Sequence, residues 1–272
     1  MHVPRTDEQV TLHTYPSDLT DKEWAILEPL VRRPSPRGRP SFWSTRRVLD
    51  AIFYVLRSGC AWRLLPHDFP PWQTVVYHFR RWRLVGVWHR IHEILRTSVR
   101  EGSVRDPDPS AGVVDSQSVK TAEGGPRGYD AAKRVCGRKR HLLVDSSGLL
   151  LAAHVTPADM QYRDGASRLL AGLKPLVPRL ALIWADGAYG GKGLADWCEQ
   201  QGGWRLKIVK RSGGSGGFEV VPRRWVVERT FSWLGRHRRL SKDYERRVQT
   251  SEAFIQVAMI RLMLARLVKS VR

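Results

Sequence analysis

The spacing of apolar residues changes at a short stretch, 101–109, that contains two prolines and a glycine and has no apolar periodicity of its own. Before this stretch, apolar residues recur with the 3.6-residue period of helices. After it, they form short runs that end in turns and alternate with helical segments. The change predicts an all-helical region over 1–103, followed by an α/β domain over 110–272.

The first region is predicted to contain four helices, the first of which starts at a capping box formed by Thr20 and Glu23. The third helix presents three arginines on its polar face: Arg80, Arg81 and Arg83. A basic helix that follows another helix and a turn is typical of helix-turn-helix DNA readers. An ordinary helical bundle with a solvated arginine face fits the same spacing.

Short apolar runs in the second region predict five strands: 112–114, 141–144, 149–156, 180–185 and 205–209. Three consecutive strands followed by alternating helices and strands are typical of a layered α/β domain. A serine- and glycine-rich run at 212–217 predicts a flexible loop, and a long helix is predicted at 251–268.

The chain is strongly basic, with 46 Lys and Arg against 26 Asp and Glu and a formal charge of +20. The excess is positive in each of the segments 1–100, 101–217 and 218–272. Because each phosphate that is neutralised by a cationic side chain releases condensed counterions, this charge favours a nucleic acid as partner. A basic, solvated surface without a binding cleft would have the same net charge.

The sequence offers no sign of a membrane or secreted protein. Its apolar runs fall far short of the ~18 residues of a membrane span, and its first residues lack the apolar core of a leader. Three widely spaced cysteines, Cys60, Cys136 and Cys198, do not make a disulfide framework. We therefore expect a cytoplasmic protein that associates with the nucleoid.

Three aspartates follow apolar runs, where strands disfavour acidic residues. Asp145 opens a turn, which explains it fully, and a turn is also one explanation of Asp186. Asp115 continues into an extended pattern, and Asp186 ends a strand where α/β sheets place their chemistry. Glu228 lies on a helix one turn after Arg224, where a surface ion pair would explain it. Together, Asp115, Asp186 and Glu228 are the oxygen ligands that two divalent ions need for phosphodiester chemistry.

Four stretches carry a resemblance to a known family. They are 62–82, which begins Trp-Arg-Leu-Leu-Pro, 112–121 (Gly-Val-Val-Asp-Ser-Gln-Ser-Val-Lys-Thr), 184–189 (Trp-Ala-Asp-Gly-Ala-Tyr) and 222–231 (Pro-Arg-Arg-Trp-Val-Val-Glu-Arg-Thr-Phe). Over about 17–268 the chain resembles the DDE-type insertion-sequence transposases of the insertion sequence five group. The resemblance implies a ribonuclease H-like fold, with Asp115, Asp186 and Glu228 as the catalytic and metal-binding triad.

The resemblance also implies a transposase that binds the terminal inverted repeats of an insertion sequence as a homodimer on duplex DNA. With two Mg²⁺ or Mn²⁺ ions, water hydrolyses a strand at the transposon end, and the freed 3′-hydroxyl attacks target DNA. The wider family's glutamate segment is written Tyr-x2-Arg-x3-Glu-x6-Lys. Arg224 and Glu228 match it, whereas Val221 and Gly235 stand in place of Tyr and Lys.

Basic residues near the predicted triad, and on the third helix, are candidates for phosphate contacts that position DNA. In addition to Arg80, Arg81 and Arg83, they are Arg138, Lys139, Arg140, Arg224, Arg236, Arg238 and Arg239. For each of them, a solvated charge run is an equally good explanation.

Two other functions stay open at this point. Tyr244, near Arg236, His237 and Arg246, offers the nucleophile and helper residues of a metal-independent recombinase, although a packed or DNA-contacting tyrosine is the simpler interpretation. A catalytically inactive, transposase-derived regulator would bind DNA without cutting it, but the intact triad disfavours this. The absence of a Cys-x2-Cys pair and of a phosphate-binding glycine loop disfavours structural zinc and ATP.

Overall fold

The computed structural model describes residues 15–31, 42–122, 124–209 and 224–270, so the predicted loop at 212–217 lies outside the described residues. The N-terminal region is helical, as predicted. Within the described ranges, no helix combines the length and the apolar character that a membrane crossing requires. The four helices of this region are α1 (Asp21–Val31), α2 (Thr45–Ser58), α3 (Trp72–Leu84) and α4 (Val87–Glu101), with a short 3₁₀ turn at Trp62–Leu64.

The second region is built on a mixed sheet, and the five predicted strands are all present. A sixth strand, β2, spans only three residues and was not predicted. The strands are β1 (Ala111–Lys120), β2 (Gly128–Asp130), β3 (Val135–Asp145), β4 (Leu150–Pro157), β5 (Leu182–Ala185) and β6 (Arg205–Ile208). The helices are α5 (Tyr162–Leu170), α6 (Lys192–Gly202), α7 (Trp225–Gly235) and α8 (Val248–Ser270), with 3₁₀ turns at Gly187–Tyr189 and Arg238–Leu240.

The sheet has the strand order β2-β3-β1-β5-β6, and β4 also pairs with β3. β3 is antiparallel to both of its neighbours β1 and β4, whereas β1, β5 and β6 are parallel. Successive residues of β1 point to opposite faces, so Val113 packs on the side of α7 and α8 while Val114 packs on the side of α5 and α6. Helices therefore cover both faces, which gives the predicted layered α/β architecture.

The core on the α8 side of the sheet is continuous with the core of the N-terminal helices. Phe254 of α8 stacks on Phe79 of α3 with ring centroids 4.7 Å apart, and Trp62 packs against both rings. The division into domains at 1–103 and 110–272 stays a prediction. The C-terminal helix nevertheless completes the apolar core of the N-terminal region.

A buried ion pair fastens α4 to the turn between β3 and β4. Arg100 and Asp145 are 6% and 0% exposed, and the guanidinium of Arg100 donates to the carboxylate of Asp145. Asp145 also accepts the backbone N–H groups of Ser147 at 2.7 Å and Leu149 at 2.9 Å, which confirms the predicted turn. The same carboxylate therefore shapes the turn and anchors the N-terminal helices to the sheet.

Three basic residues of β3 that were predicted to contact DNA are buried. Arg138, Lys139 and Arg140 are 0%, 3% and 1% exposed, and their cationic groups donate to carbonyl oxygens inside the protein. A guanidinium in that position cannot reach a DNA phosphate. The prediction of a DNA contact is therefore wrong for these three, because a buried charge needs internal partners and each of them has such partners.

Arg239 was also predicted to contact DNA, but its side chain is buried and only 7% exposed. Its Nε and Nη2 lie 2.7 and 2.6 Å from Oε1 of Glu245, and its Nη1 donates to the carbonyl oxygen of Cys60 at 3.1 Å. The side chain thus joins the α7–α8 connection to the N-terminal region and is not presented to DNA.

Asp50 of α2 is a buried carboxylate that accepts a backbone hydrogen bond. It is 5% exposed, and its Oδ1 accepts the backbone N–H of Leu19 at 2.8 Å. Burial raises the pKa of Asp50 from 3.8 to about 6, against the opposing effect of the Leu19 hydrogen bond. The folded state therefore binds a proton more tightly than the unfolded state does.

We expect Arg100→Met to lower the free energy of unfolding by about 3–5 kcal/mol, because it leaves Asp145 charged and buried without its partner. Urea denaturation measures the change. The matched control is Arg105→Gln, since Arg105 is exposed and donates to Ser146 of the same turn at 2.8 Å. The control should change the free energy of unfolding by no more than about 0.5 kcal/mol. Equal losses in the two variants would contradict the anchoring role of the buried pair.

Relative to the wild type, Asp50→Asn should have a free energy of unfolding that increases as the pH rises. Since the folded-state pKa is raised, ionisation of Asp50 costs stability, and this cost appears as the pH rises from about 4 through about 6. Relative to the wild type, the variant should gain roughly 2 kcal/mol in free energy of unfolding between about pH 4.5 and about pH 7.5. Urea denaturation of both proteins at the two pH values measures this change. A difference in free energy of unfolding that does not depend on pH would contradict the prediction.

Candidate active site

Two of the predicted catalytic carboxylates meet because β1 and β5 are neighbouring parallel strands. Val113 of β1 pairs with Trp184 of β5, so the same register continued by two residues places Asp115 opposite Asp186. Neighbouring strands lie about 4.8 Å apart, and both aspartates are at the carboxyl ends of the paired segment. Parallel pairing in this register is therefore what creates a two-carboxylate site.

Asp186 is held by the turn that follows β5. It caps the 3₁₀ turn Gly187–Tyr189, with Oδ1 accepting the backbone N–H of Ala188 at 2.9 Å. Its side chain is 24% exposed, and Oδ2 faces the guanidinium of Arg224. The turn that was one explanation of Asp186 is thus present, and it orients the carboxylate without using both of its oxygens.

Asp115 is half-buried, and its Oδ1 accepts the backbone N–H of Ser116 at 2.7 Å. Burial raises the pKa of Asp115 to about 6, and the charge of Asp186 adds to the rise. The hydrogen bond from Ser116 and the charges of Arg224 and Lys133 oppose it. The site therefore holds two like charges close together in partly desolvated surroundings.

Glu228 reaches the site from α7, which is fixed to the turn between β3 and β4. The Thr230 hydroxyl donates to the carbonyl oxygen of Gly148 at 2.8 Å, and Arg229 donates to that of Ser147 at 3.0 Å. Glu228 itself is 53% exposed. The buried turn that anchors α4 thus also positions the helix that carries the third carboxylate.

A single guanidinium lies between the carboxylates. Nη2 of Arg224 donates to Oε1 of Glu228 at 3.1 Å, and its Nη1 is 4.0 Å from Oδ2 of Asp186. The same positive charge opposes part of the rise in the pKa of Asp115. The predicted ion pair within the helix is present, and in addition it faces the two strand carboxylates. All three predicted catalytic residues therefore surround Arg224.

The donor chemistry of this cluster fits a divalent metal ion. Asp115, Asp186 and Glu228 offer the carboxylate oxygens that Mg²⁺ and Mn²⁺ prefer, and a cation would offset the repulsion between Asp115 and Asp186. Among the described residues, however, no three acidic, histidine or cysteine side chains converge closely enough to hold an ion. Glu228 is engaged by Arg224, so its side chain must leave that partner to complete the set.

Two further residues of the site escaped sequence analysis. Tyr189 is fully buried, and burial together with the charge of Asp115 raises the pKa of its hydroxyl, which therefore stays protonated. Lys133 reaches across from the β2–β3 connection, with its Nζ 3.5 Å from the carbonyl oxygen of Ser116. The position of Tyr189 three residues after Asp186 was a usable signal, whereas nothing in the sequence connects Lys133 to the site.

The remaining basic candidates differ in exposure. Arg80 and Arg81 lie exposed on α3, and Arg81 donates to the hydroxyl of Tyr77 at 3.3 Å. Arg83 is half-buried. Arg236 and Arg238, after α7, are exposed. These residues are accessible to a phosphate backbone, and their contacts with DNA stay predictions.

Tyr244, the nucleophile of the rival recombinase hypothesis, packs against Arg239, whose guanidinium carbon lies 5.5 Å from the ring centre. Because Arg239 is already paired with Glu245, this arrangement agrees with the simpler interpretation of a packed aromatic residue.

Two sequence families match the chain on either side of the linker. The family described as "Transposase DDE domain" matches residues 106–263, which is more than half of the chain. A second family, provisionally described as a "transposase of IS4/5 family", matches residues 19–92.

The chain is also similar to curated bacterial proteins. An uncharacterized 16.2 kDa protein of insertion element IS402 from Burkholderia cepacia is 34% identical over 116 residues, 40% of this chain and 77% of that protein. A protein provisionally named a transposase for insertion sequence element IS402, from the same organism, is 28% identical over 152 residues, 53% of this chain and 70% of that protein. The uncharacterized protein y4sN of Sinorhizobium fredii is 29% identical over 86 residues, 32% of this chain and 66% of that protein.

These similarities agree with the fold, since a mixed sheet covered by helices on both faces is the ribonuclease H-like architecture that the family resemblance implied. Because the family match extends over the strands and helices that bring the carboxylates together, we conclude that this chain belongs to the transposase DDE domain family and is an enzyme of DNA cleavage and strand transfer.

Proposed function

We propose that this transposase binds the terminal inverted repeats of an insertion sequence, cleaves DNA there and joins the freed 3′ ends to a target site. Asp115, Asp186 and Glu228 act as its catalytic carboxylates. The observation that carries the proposal is the parallel register of β1 and β5, which sets Asp115 beside Asp186 just past the segment in which the two strands pair. Glu228 faces the same place across Arg224.

The three carboxylates are the residues that would hold two Mg²⁺ or Mn²⁺ ions. When bound, such ions activate the attacking oxygen and stabilise the leaving oxygen of a phosphodiester. The Ser116 and Ala188 N–H groups each fix one oxygen of Asp115 and Asp186, which leaves the other oxygens for this purpose. Preorganised carboxylates need little rearrangement at the moment of reaction.

Arg224 has a separate role in this proposal. Its guanidinium balances the charge of Glu228 and Asp186 before substrate is bound. A guanidinium fork pairs equally well with a phosphate. We propose that Arg224 exchanges Glu228 for a phosphate of the DNA strand, so that arrival of DNA releases the third carboxylate for the metal site.

The DNA duplex is proposed to run from α3 to the active site across arginines that are exposed or half-buried. Phosphate contacts of this kind orient DNA without reading its sequence. Because two transposon ends are joined in one event, we propose that a homodimer holds the paired ends. The proposed contact residues are Arg80, Arg81, Arg83, Arg224, Arg236 and Arg238.

Asp186→Asn should reduce strand cleavage by at least about a hundredfold, because the amide keeps the cap on the 3₁₀ turn but loses the charge that holds a cation. The measurement is cleavage of a labelled duplex that carries the terminal repeat of its element, in Mg²⁺ or EDTA. Glu101→Gln, an exposed acid at the end of α4, is the control and should cleave as the wild type does.

Undiminished cleavage by Asp186→Asn would remove Asp186 from the triad. Wild-type protein that binds the duplex but never cuts it with Mg²⁺ or Mn²⁺ would favour the non-cleaving regulator instead.

Arg224→Gln should bind Mn²⁺ more tightly than the wild type in the absence of DNA. Arg224 lies 4.0 Å from Asp186, which would be a ligand of the ion. Two unit charges about 4 Å apart interact by about 1 kcal/mol in water, so removal of this positive charge should raise the affinity for Mn²⁺ by roughly fivefold. Titration of free Mn²⁺ by electron paramagnetic resonance measures it. Lys269→Gln removes an equal charge at the far end of α8 and should have no effect. Equal or weaker Mn²⁺ binding by Arg224→Gln would show that Arg224 does not compete with the ion.

A further inference from the structure

A cavity of about 230 Å³ lies between α3 and the first turn of α8, outside the carboxylate site. Trp62 and Phe79 contribute its apolar wall. Its polar wall combines arginines from two distant parts of the sequence: Arg80 and Arg83 of α3, and Arg246 and Arg247 just before α8. The helical region and the C-terminal segment therefore build this cavity together.

The cavity carries a large excess of positive charge. Arg80, Arg246 and Arg247 are exposed, and the half-buried Arg83 has a buried Nε with no hydrogen-bond partner among the described residues. Glu245 is the one acidic residue of the described lining, and its Oε1 is already bound by Arg239 at 2.6 and 2.7 Å. Among the described residues of the lining, the four arginines thus face one acid, Glu245, which is already paired with Arg239.

The backbone that presents Arg246 and Arg247 is fixed from beneath by a buried network. Arg138 donates to the carbonyl oxygens of Glu245 at 2.6 Å and Arg246 at 3.1 Å. Asp243 accepts hydrogen bonds from the backbone N–H of Glu245 at 3.0 Å and from Nη1 of Arg138 at 3.1 Å. A guanidinium on a fixed backbone loses less entropy when it binds, so this segment is preorganised for a ligand.

The size and chemistry of the cavity select the ligand. At about 230 Å³ it falls below the ~300–1,000 Å³ of pockets that enclose a small molecule. Planar guanidinium groups match the oxygens of a phosphate, and the first turn of α8 adds its partial positive charge. An open cavity lined by arginines therefore suits one phosphate of a polymer that continues past it on either side.

We propose that this cavity binds a backbone phosphate of duplex DNA, with Arg246 and Arg247 as DNA contacts alongside Arg80 and Arg83. The proposal rests on the proposed DNA-binding function and extends its interface from α3 to the start of α8. One phosphate would then be held by both parts of the chain at once. The buried Arg138 acts as a positioning residue, because it holds the backbone that carries the two contacts.

The test is fluorescence anisotropy of the full chain with two labelled duplexes of equal length, one carrying the terminal repeat and one of unrelated sequence, in EDTA at several salt concentrations. The test variant is Arg246→Gln combined with Arg247→Gln. The control combines Lys22→Gln and Lys269→Gln, two exposed lysines remote from the cavity, on α1 and at the far end of α8.

We expect the test variant to bind both duplexes more weakly by a similar factor, since phosphate contacts carry no sequence information. The slope of log affinity against log salt should fall by about 1 to 2, as for the loss of one or two phosphate contacts. The control loses the same charge and should keep the wild-type slope. Unchanged melting temperatures of both variants would show that the fold is intact.

Three results would overturn the proposal. A wild-type slope in the test variant removes Arg246 and Arg247 from the DNA interface while leaving the proposed function intact. If the wild type binds neither duplex, the proposed DNA-binding function itself is contradicted. Inorganic phosphate could instead stabilise the wild type but not the test variant, while the test variant binds DNA as tightly as the wild type does. That result would assign the cavity to a free anion.

Discussion

Buried guanidinium groups must find partners inside the protein, and the arrangement of this transposase follows from how they do so. Arg138 and Arg140 are two residues apart in β3 and therefore lie on the same face of the strand. Both donate to backbone carbonyls of the segment between α7 and α8. Arg100 satisfies Asp145 at the opposite end of β3. Because an unpaired buried charge costs several kcal/mol, these contacts force the N-terminal helices, the sheet and the C-terminal segment into one fixed arrangement.

The candidate active site shows the converse situation, in which the charges of the carboxylates are incompletely balanced. Asp115 and Asp186 repel each other, and one guanidinium serves Glu228 and Asp186 together. A site of this kind favours the binding of a cation, since the cation supplies positive charge that the protein does not provide. The secondary structure around it is rigid: β1 and β5 fix the aspartates, and the anchored turn after β3 fixes α7.

Local patterns in the sequence were sufficient to predict most elements of the fold. Apolar spacing gave the helices of the first region and the five longer strands, because burial on one face imposes a period that is visible within ten residues. The carboxylates Asp115 and Asp186 stood out because acidic residues are unfavourable in strands. β2 was missed because three residues are too few to show a period.

The basic residues could not be assigned in the same way. Arg138 was predicted to bind DNA, and it is buried because its partner Asp243 lies 105 positions away in the sequence. Arg246 was considered only as a helper of Tyr244, yet it lines a cavity opposite Arg80. A run of arginines has the same local pattern whether it is solvated, buried or aimed at DNA.

The sequence by itself determined the order of helices and strands, the excess of positive charge and the presence of three acidic residues at informative places. Only the tertiary structure decided which strands are neighbours, where Arg224 lies among the carboxylates and which arginines reach the surface. The physical reason is that hydrophobic periodicity acts between residues close in sequence. The energy of a charge depends instead on partners close in space.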